Sequence, residues 1–494
     1  MHHKALDILS TFTDSEFETF GKFLNSPFFN TGKKILHLYE FLCDNRDRNV
    51  LSNLKDDEVS KRVFPDIEYN KSTFNALFSD LHSLLSRFLV IQNLSRKDLV
   101  AEDFLREELF IRGLFNSVSQ SVDRSNKLFR NKCPDSEYFI NLFNLANDEA
   151  NLMYLSSALK SKKAISENLD MVAQRGLQLC CLFTSEMIRV SENINSRGVT
   201  YDTGDSGIFT ERLSGLVNLN GLTDLIISTS KDNKSVAYFQ ILKAQLTAFS
   251  EFDDESKYFK YKREVGRNEN LLSLNDLRFH YGRMMRYCIM KRKSFVNSQR
   301  FDNELFDIYR ITLIKEFYKS QVSQYLPVEL FRNILILALK LKKFAWTNLF
   351  IKNYSQKLDP DRSENMKNYA IVRYSFEKGN FKKALKTIHH FNTDNFIFKI
   401  DLRNIELMSH FELHSYDTVR NLLGSYSQFI SSAKGMSKPA INSYKVFAKA
   451  MKNLMDFKTN MSNSSEYNLV KNLEGKFPNR EWIEGKYFGI KESS

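Results

Sequence analysis

Basic and aromatic residues alternate in two stretches of the sequence, KYFKYKR at Lys257–Arg263 and RFHYGRMMRYCIMKRK at Arg278–Lys293. Lysine and arginine can neutralise phosphates while tyrosine or phenylalanine stacks on bases, which is how many proteins bind single-stranded nucleic acid. The candidate nucleic-acid-binding residues are Lys257, Lys260, Lys262, Arg263, Arg278, Arg283, Arg286, Lys291, Arg292 and Lys293. On helices the same stretches can instead turn apolar residues such as Phe259 and Phe279 toward a core and the cations toward water. The sequence favours this second interpretation and keeps nucleic-acid binding as the alternative.

Residues that could form a catalytic or metal site do not occur in recognisable patterns. The sequence contains no GxGxxG, GxxxxGK[ST], HExxH or GxSxG, so it lacks the residues that those phosphate-binding, zinc-protease and hydrolase sites require. His410 and His414 lie four residues apart on a predicted helix, but two ligands are too few for a zinc site. We therefore predict a protein that is not an enzyme and that uses no metal and no cofactor.

The composition indicates which elements hold these residues. Among 494 residues there are only 17 glycines and 7 prolines, which is too few turn residues for a many-stranded sheet protein. The 42 phenylalanines and 21 tyrosines are then core material between helices. The sequence therefore predicts an all-α fold.

A repeated phrase near the C-terminus indicates how the helices are arranged. LKLKKFAWTNLF, FEKGNFKKALKTI and FELHSYDTVRNLL each consist of an apolar helical stretch, a polar break, an aromatic residue and, three positions later, a small or β-branched residue. The aromatic residues are Phe344, Phe381 and Tyr416, so the spacings are 37 and 35 residues. A period of this size is typical of helical hairpins that stack into a solenoid.

The middle phrase, GNFKKAL at Gly379–Leu385, resembles a tetratricopeptide repeat. Phe381 matches the aromatic residue of that repeat, and Ala384 matches the small residue at which the two helices approach closely. The neighbouring units are degenerate, because Thr347 and Val419 replace the alanine, and the best units span 328–430.

The same resemblance implies a concave groove lined by the first helix of each hairpin. Counted back from the matched aromatic residues, the lining positions are Arg332, Lys340, Tyr369, Arg373 and Asn404. Such a groove would be basic with aromatic support, which suits an acidic peptide or protein segment.

Over its full length the chain also resembles a family of uncharacterised bacterial proteins of about this size. The segments that carry this resemblance are Ser26–Asn30 (SPFFN), Val63–Pro65 (VFP), and Leu337–Trp346 with GNFKKAL behind it. The resemblance implies the helical architecture and no activity.

Breaks in the helical pattern divide the chain into five regions. We predict an N-terminal helical domain at 1–100, a long-helix segment at 101–195, a glycine-rich loop or hinge at 196–234, a helical repeat array at 235–458, and a tail with a short helix at 459–494. Within the first region, Thr13 and Glu16 form a predicted capping box, and Phe12 and Phe17 stand at the positions of a hydrophobic staple.

The charge and the cysteine content indicate the kind of partner and the cellular environment. The net charge is +12, and residues 201–400 carry 33 basic and 22 acidic side chains, which favours acidic partners. Five cysteines without a CxxC spacing suggest a reducing, cytoplasmic environment. No stretch has the length and apolarity of a signal peptide or membrane helix, so no membrane association is expected. The leading functional prediction is a cytoplasmic protein-interaction scaffold for an acidic partner, and the oligomeric state is left open.

Overall fold

The computed structural model contains α-helices, turns and no β-strand in the residues that it describes. These residues are 3–45, 56–63, 65, 70–156, 161–198, 205–292, 298–320, 323–391, 396–431, 438–460 and 463–492. The predicted all-α class is confirmed. The first nine helices are α1 (Lys4–Leu9), α2 (Asp14–Leu24), α3 (Lys33–Asp44), α4 (Asp56–Val63), α5 (Lys71–Leu94), α6 (Asp98–Ile111), α7 (Phe115–Phe129), α8 (Ser136–Leu155) and α9 (Lys162–Gly198).

The remaining helices cover the second half of the chain. They are α10 (Asp205–Leu216), α11 (Leu219–Thr229), α12 (Asn233–Ser250), α13 (Glu255–Arg267), α14 (Leu274–Arg292), α15 (Ser298–Ile314), α16 (Val328–Lys340), α17 (Phe344–Tyr354), α18 (Pro360–Glu377), α19 (Phe381–Ile388), α20 (Phe396–Glu412), α21 (Tyr416–Ser431), α22 (Lys438–Asn460), α23 (Asn463–Leu473) and α24 (Arg480–Glu492). Two short 3₁₀ turns occur at Glu269–Leu271 and Ser355–Lys357.

The chain divides into two compact units. Unit 1 contains Met1–Lys132 and Asn141–Arg175, and unit 2 contains Cys133–Ile140 and Gly176–Ser494. The division falls inside α8 and α9, so these two long helices each contribute to both units. The predicted boundary at residue 100 lies within unit 1.

The start of unit 1 follows the local signals in the sequence. Thr13 caps α2 by accepting a hydrogen bond from the amide of Glu16, whose carboxylate accepts one from the amide of Thr13. The ring of Phe12 packs edge-on against that of Phe17 at a centroid distance of 5.7 Å. The capping box and the staple are both confirmed. Apolar residues of α1 to α5 form a single core here, including Phe20, which is fully buried.

Three helical hairpins in unit 2 share one turn geometry. They are α16–α17, α18–α19 and α20–α21, and their turns contain one residue each with positive φ: Lys342, Gly379 and His414. In each turn this residue's amide donates to the carbonyl three residues earlier, and the next amide donates to the carbonyl five residues earlier, with N···O distances between 2.8 and 3.0 Å. This pair of bonds is the Schellman motif, which ends a helix by satisfying its last carbonyls. The repeated sequence phrase therefore corresponds to a repeated backbone geometry.

Each of these turns is followed by the same buried contact. The aromatic residue stands two positions after the left-handed residue, and a fully buried small or β-branched residue stands five positions after it. The latter are Thr347, Ala384 and Val419, each with no exposed surface. A small side chain at this point lets the second helix lie close to its neighbours.

A fourth hairpin with this turn lies in unit 1, where no repeat is predicted from the sequence. Gly113 has a φ of 68° between α6 and α7, and the amides of Gly113 and Leu114 make the same two hydrogen bonds. Phe115 and the fully buried Val118 follow at the same two offsets. The phrase RGLFNSV was not recognised because valine and serine stand where the better-matched unit has alanine and lysine.

Two predicted regions need correction. The glycine-rich stretch 196–234 was predicted as a loop or hinge, but the end of α9 and all of α10 and α11 lie there, outside 199–204, which the structure does not describe. Gly207 and Gly215 lie within α10 and Gly221 lies within α11, because glycine weakens a helix without preventing it, and Asn218 caps α11 by accepting from the amide of Gly221. The tail at 459–494 contains two helices, α23 and α24, where one short helix was predicted.

Candidate functional site

A cleft of about 730 Å³ lies in unit 2 beside the last turns of α16, α18 and α20. Equivalent positions of the three hairpins line it. Six residues before the left-handed turn residue stand Ile336, Arg373 and Met408, and two residues before it stand Lys340, Glu377 and Glu412. The hairpin repeat itself therefore builds one wall of this cleft, which we call the groove.

The opposite wall of the groove comes from the end of the chain. Lys476, Phe477, Asn479 and the first turns of α24 line it. The indole N–H of Trp482 donates to the carboxylate of Glu412 at 3.0 Å, and the Lys486 Nζ lies 2.7 Å from the same carboxylate. Sequence reasoning missed this wall, because no local pattern connects α24 with helices about seventy residues earlier.

The groove is basic and partly apolar. Its lining includes six cations and three carboxylates, together with buried or half-buried aromatic side chains such as Phe376 and Phe381. The six cations are Lys340, Lys342, Arg373, Lys476, Arg480 and Lys486. A mixed lining of this volume accommodates a few side chains of a ligand and distinguishes ligands by charge.

Two of the groove's cations form ion pairs with carboxylates that are exposed, half-buried or buried. Lys340 Nζ lies 2.9 Å from Glu481, whose side chain is 73% exposed, and 3.1 Å from the buried Asp302. Lys342 Nζ lies 3.0 Å from Glu377. An ion pair with an exposed carboxylate contributes only about 0–1 kcal/mol, so a ligand carboxylate can replace Glu481 at little cost.

Three of the five residues predicted to line a concave groove do not line this one. Arg332, Tyr369 and Asn404 each stand ten residues before their turn residue, and the latter two are buried. Lys340 and Arg373 do line the groove.

Asp401, which sequence reasoning missed, explains why Arg332 and Tyr369 do not line the groove. Its buried carboxylate accepts from Arg332 Nη2 at 2.8 Å and from the Tyr369 hydroxyl at 2.7 Å, and Arg373 Nη2 lies 3.4 Å away. Burial alone raises the pKa of Asp401, but the two guanidinium groups outweigh it and hold the pKa below its ordinary value. We call these four residues the Asp401 cluster. The only available signal was an aspartate inside the apolar run FIFKIDLRNI.

Asn404 belongs to a separate buried contact. Its side-chain carbonyl accepts a hydrogen bond from the Tyr426 hydroxyl of α21 at 2.5 Å, and both residues are almost completely buried. It therefore joins the two helices of its own hairpin and offers nothing to a ligand.

The candidate nucleic-acid residues on α13 are divided between water and ion pairs. Lys257 lies 3.1 Å from Glu251, and Lys262 lies 2.6 Å from Glu304. Lys260 and Arg263 are exposed. The buried face consists of Tyr258, Tyr261 and Val265, so Phe259 lies at its edge rather than at its centre.

Those on α14 point mostly inward. Arg283 is buried and pairs with Glu192, Arg292 pairs with Asp302, and Lys291 lies buried with its Nζ 4.4 Å from the centre of the Phe252 ring. Arg278 donates to Asn275 at 2.9 Å. Arg286 is half-buried, and Lys293 lies outside the described residues. Both interpretations of this stretch expected its cations in water, and α14 instead buries several against partners on neighbouring helices.

A buried histidine lies next to these arginines. His280 is fully buried, and its Nδ1 lies 2.8 Å from the Tyr261 hydroxyl. Burial, together with the positive charges of Arg189 and Arg283, lowers the pKa of His280 to about 3. The imidazole is therefore neutral at physiological pH and acts as a hydrogen-bonding core residue.

The described part of the chain contains neither a candidate metal site nor a helix that could span a membrane. No group of three or more His, Cys, Asp or Glu side chains there could hold a metal ion. His414 lies in a turn rather than on the predicted helix, with its Nδ1 2.9 Å from the Tyr416 hydroxyl. Among the described helices, none combines the length and the apolarity needed to cross a bilayer.

Comparisons with known proteins found no similar protein. No family model matches the chain, and no curated protein and no solved structure does either.

Proposed function

We propose that this chain is a non-catalytic protein-interaction scaffold whose groove binds an acidic, partly apolar segment of a partner protein. The observation that carries the proposal is the composition of the groove, in which three hairpins and α24 bring together six cations, three carboxylates and aromatic walls. Acidic side chains of the ligand would pair with Lys340 and Lys342, while apolar ones would contact Phe376, Phe381 and Trp482.

The proposal includes a tetratricopeptide-like arrangement of the three hairpins. The 37- and 35-residue spacing of Lys342, Gly379 and His414, their shared Schellman turns and the buried residues behind them support it. Contacts between α16 and α18, and between α18 and α20, also support it, because first helices pack side by side in such arrays. A cytoplasmic location remains a prediction from the five free cysteines.

The groove can be tested by charge reversal at residues that are not in the Asp401 cluster. Twelve-residue peptides would be selected from a display library on the wild-type protein, and their affinity measured by fluorescence anisotropy. We expect the selected peptides to be rich in Asp, Glu, Leu and Phe. The double variant Lys340→Glu, Lys342→Glu should bind them at least tenfold more weakly, because two attractive contacts become repulsive.

A matched control separates the groove from net charge. Lys449→Glu, Lys452→Glu changes two exposed lysines of α22, outside the groove, by the same total charge. It should bind the peptides like the wild type, and circular dichroism should show equal helix content in all three proteins. Selection of peptides without acidic residues, or equal weakening by the two double variants, would contradict the proposal.

The alternative function, nucleic-acid binding through residues 257–293, has less support. Of its ten candidate residues, Lys260 and Arg263 are the described ones that are both exposed and without an ion pair to another described residue. Two cations on one helix give little attraction for a phosphate backbone.

A further inference from the structure

A different surface of unit 2 carries exposed positive charge, whereas most of the cations on α13 and α14 are paired or partly buried. The segments 341–358 and 378–391 contain eight lysines and no aspartate or glutamate, and all eight lysines are exposed. Six of them lie on two successive hairpin turns and the helices that follow: Lys342, Lys343, Lys378, Lys382, Lys383 and Lys386. We call these six the lysine edge.

Two contacts bring the successive turns of the lysine edge together. Lys378 Nζ lies 4.4 Å from the centre of the Phe344 ring of the preceding hairpin, and Lys342 pairs with Glu377 of the following one at 3.0 Å. The lysines at 342, 343 and 378 therefore belong to one continuous patch, and those at 382, 383 and 386 continue it along α19.

The charge of the lysine edge is not balanced within the described residues. Lys342 is the one member with an ion pair to another described residue, whereas packed cations elsewhere in unit 2, such as Lys262 and Arg292, are paired. Lys382 and Lys386 are four residues apart on a helix, where like charges cost a few tenths of a kcal/mol. Neither α17 nor α19 has an acidic residue in its first turn, whereas α21 of the third hairpin has Asp417. The positive edge thus ends at the third turn.

We propose that the lysine edge binds the phosphodiester backbone of nucleic acid without sequence preference. Lysine provides a point charge for phosphate and cannot make the bidentate contacts by which arginine reads bases. Phe344 and Phe381 are half-buried, and the Phe344 ring already contacts the Lys378 ammonium group. A membrane surface is less suitable, because Leu349 is the one exposed large apolar residue of these two segments and provides little surface to insert.

The test uses the whole chain and fluorescein-labelled 30-nucleotide probes, one single-stranded and one duplex, in 50 mM salt. We expect both probes to bind. For the single strand, the logarithm of affinity should fall with the logarithm of salt with a slope of about −4, from six lysines at about 0.7 each. The variant Lys382→Gln, Lys383→Gln, Lys386→Gln should bind more than tenfold more weakly, with a slope near −2, because about half of the contacts are lost.

The control removes three cations from the competing surface. Lys257→Gln, Lys260→Gln, Arg263→Gln causes the same loss of charge on α13, and it should retain the wild-type slope. No binding by the wild type, equal weakening by the two triple variants, or a larger loss in the control would overturn the proposal. Tighter binding to phosphatidylserine vesicles than to either probe would overturn it as well.

This inference can fail independently of the proposed function. Lys382, Lys383 and Lys386 do not line the groove. The triple variant should therefore bind the selected acidic peptides with unchanged affinity, and the Lys449→Glu, Lys452→Glu variant serves both assays as a folded reference.

Discussion

The Asp401 cluster and the lysine edge use positive charge in opposite ways within the same hairpins. In the cluster, two arginines and a tyrosine surround one buried carboxylate, and Arg373 is the member that also lines the groove. At the edge, six lysines are exposed, and among the described residues Lys342 is the one that pairs with a carboxylate, Glu377. A count of basic residues does not separate the two, whereas burial and pairing do.

The difference follows from the chemistry of the two cations. Guanidinium is planar, makes several hydrogen bonds and is less strongly hydrated, so it can be buried beside a carboxylate. The lysine ammonium group is strongly hydrated and remains in water unless it is paired. Arginine in this chain is thus the poorer guide to a binding surface.

Removing the centre of the Asp401 cluster should have the largest effect. Asp401→Asn leaves two poorly solvated guanidinium groups without a counter-charge, and we expect unit 2 to lose about 3 kcal/mol or more. Urea denaturation followed by tryptophan fluorescence measures this, since both tryptophans, Trp346 and Trp482, belong to unit 2.

The pH dependence of that loss identifies its cause. Because the folded-state pKa of Asp401 is lowered, its stabilising effect should be complete above about pH 4 and disappear as the pH falls through the folded-state value. Asp417→Asn is the control, since this carboxylate is 96% exposed and should contribute less than about 0.5 kcal/mol. A small loss in Asp401→Asn would mean that the cluster is not a unit.

His280 represents a third state of a basic group, buried and uncharged. An unfolded histidine takes up a proton near pH 6.5, but folded His280 does so only near pH 3. The unfolded state therefore binds more protons between these values, so stability decreases as the pH falls from 6.5, by about 2–3 kcal/mol at pH 4.5. His280→Gln should remove this part of the pH dependence, while exposed His390→Gln should not. Parallel stability curves for the wild type and His280→Gln would contradict the assignment.

Ala384 is the buried residue of α19, the helix that also carries Lys382, Lys383 and Lys386 of the lysine edge. Ala384→Leu should push α19 outward and destabilise unit 2 by about 2 kcal/mol, because the site has no space for three more carbon atoms. Ala345→Leu places the same side chain on the exposed face of α17 and should change stability by less than about 0.5 kcal/mol. Equal effects would show that the buried position is not tightly packed.

Neutralising the lysine edge should have the smallest effect on stability and of the opposite sign. Lys382→Gln, Lys383→Gln, Lys386→Gln removes repulsion between like charges, so we expect a gain of up to about 0.5 kcal/mol at low salt. The gain should vanish in 0.5 M salt, where exposed charges are screened. A loss of stability in this variant would indicate that the lysines have structural partners.

Local signals in the sequence predicted much of the fold. The capping box at Thr13 and Glu16 and the phrase around Phe344, Phe381 and Tyr416 depend on neighbours within a few residues, and each corresponds to observed geometry. The glycine-rich stretch failed as a signal because glycine weakens a helix without preventing it. Val118 shows a limit of the repeat pattern. The buried position requires a small or β-branched side chain, and several residue types meet this requirement.

The groove was harder to predict for a physical reason. Repeat spacing places Arg332 and Tyr369 at equivalent positions. It cannot show that both side chains donate hydrogen bonds to the buried Asp401 of another helix. Trp482 and Lys486 reach the groove only because α24 packs there, after a long stretch of intervening chain. Contacts between distant segments leave no local pattern.

The Schellman turns also bear on how the chain acquires its structure. Each closes a loop of six residues, so the entropy lost in bringing two helices together is small and the first contacts of a hairpin span little sequence. The turns at Gly113 and Gly379 use the residue that reaches positive φ without steric cost, whereas Lys342 and His414 must be held there by their neighbours. We expect the hairpins with glycine at the turn to close faster than those with Lys342 or His414 there.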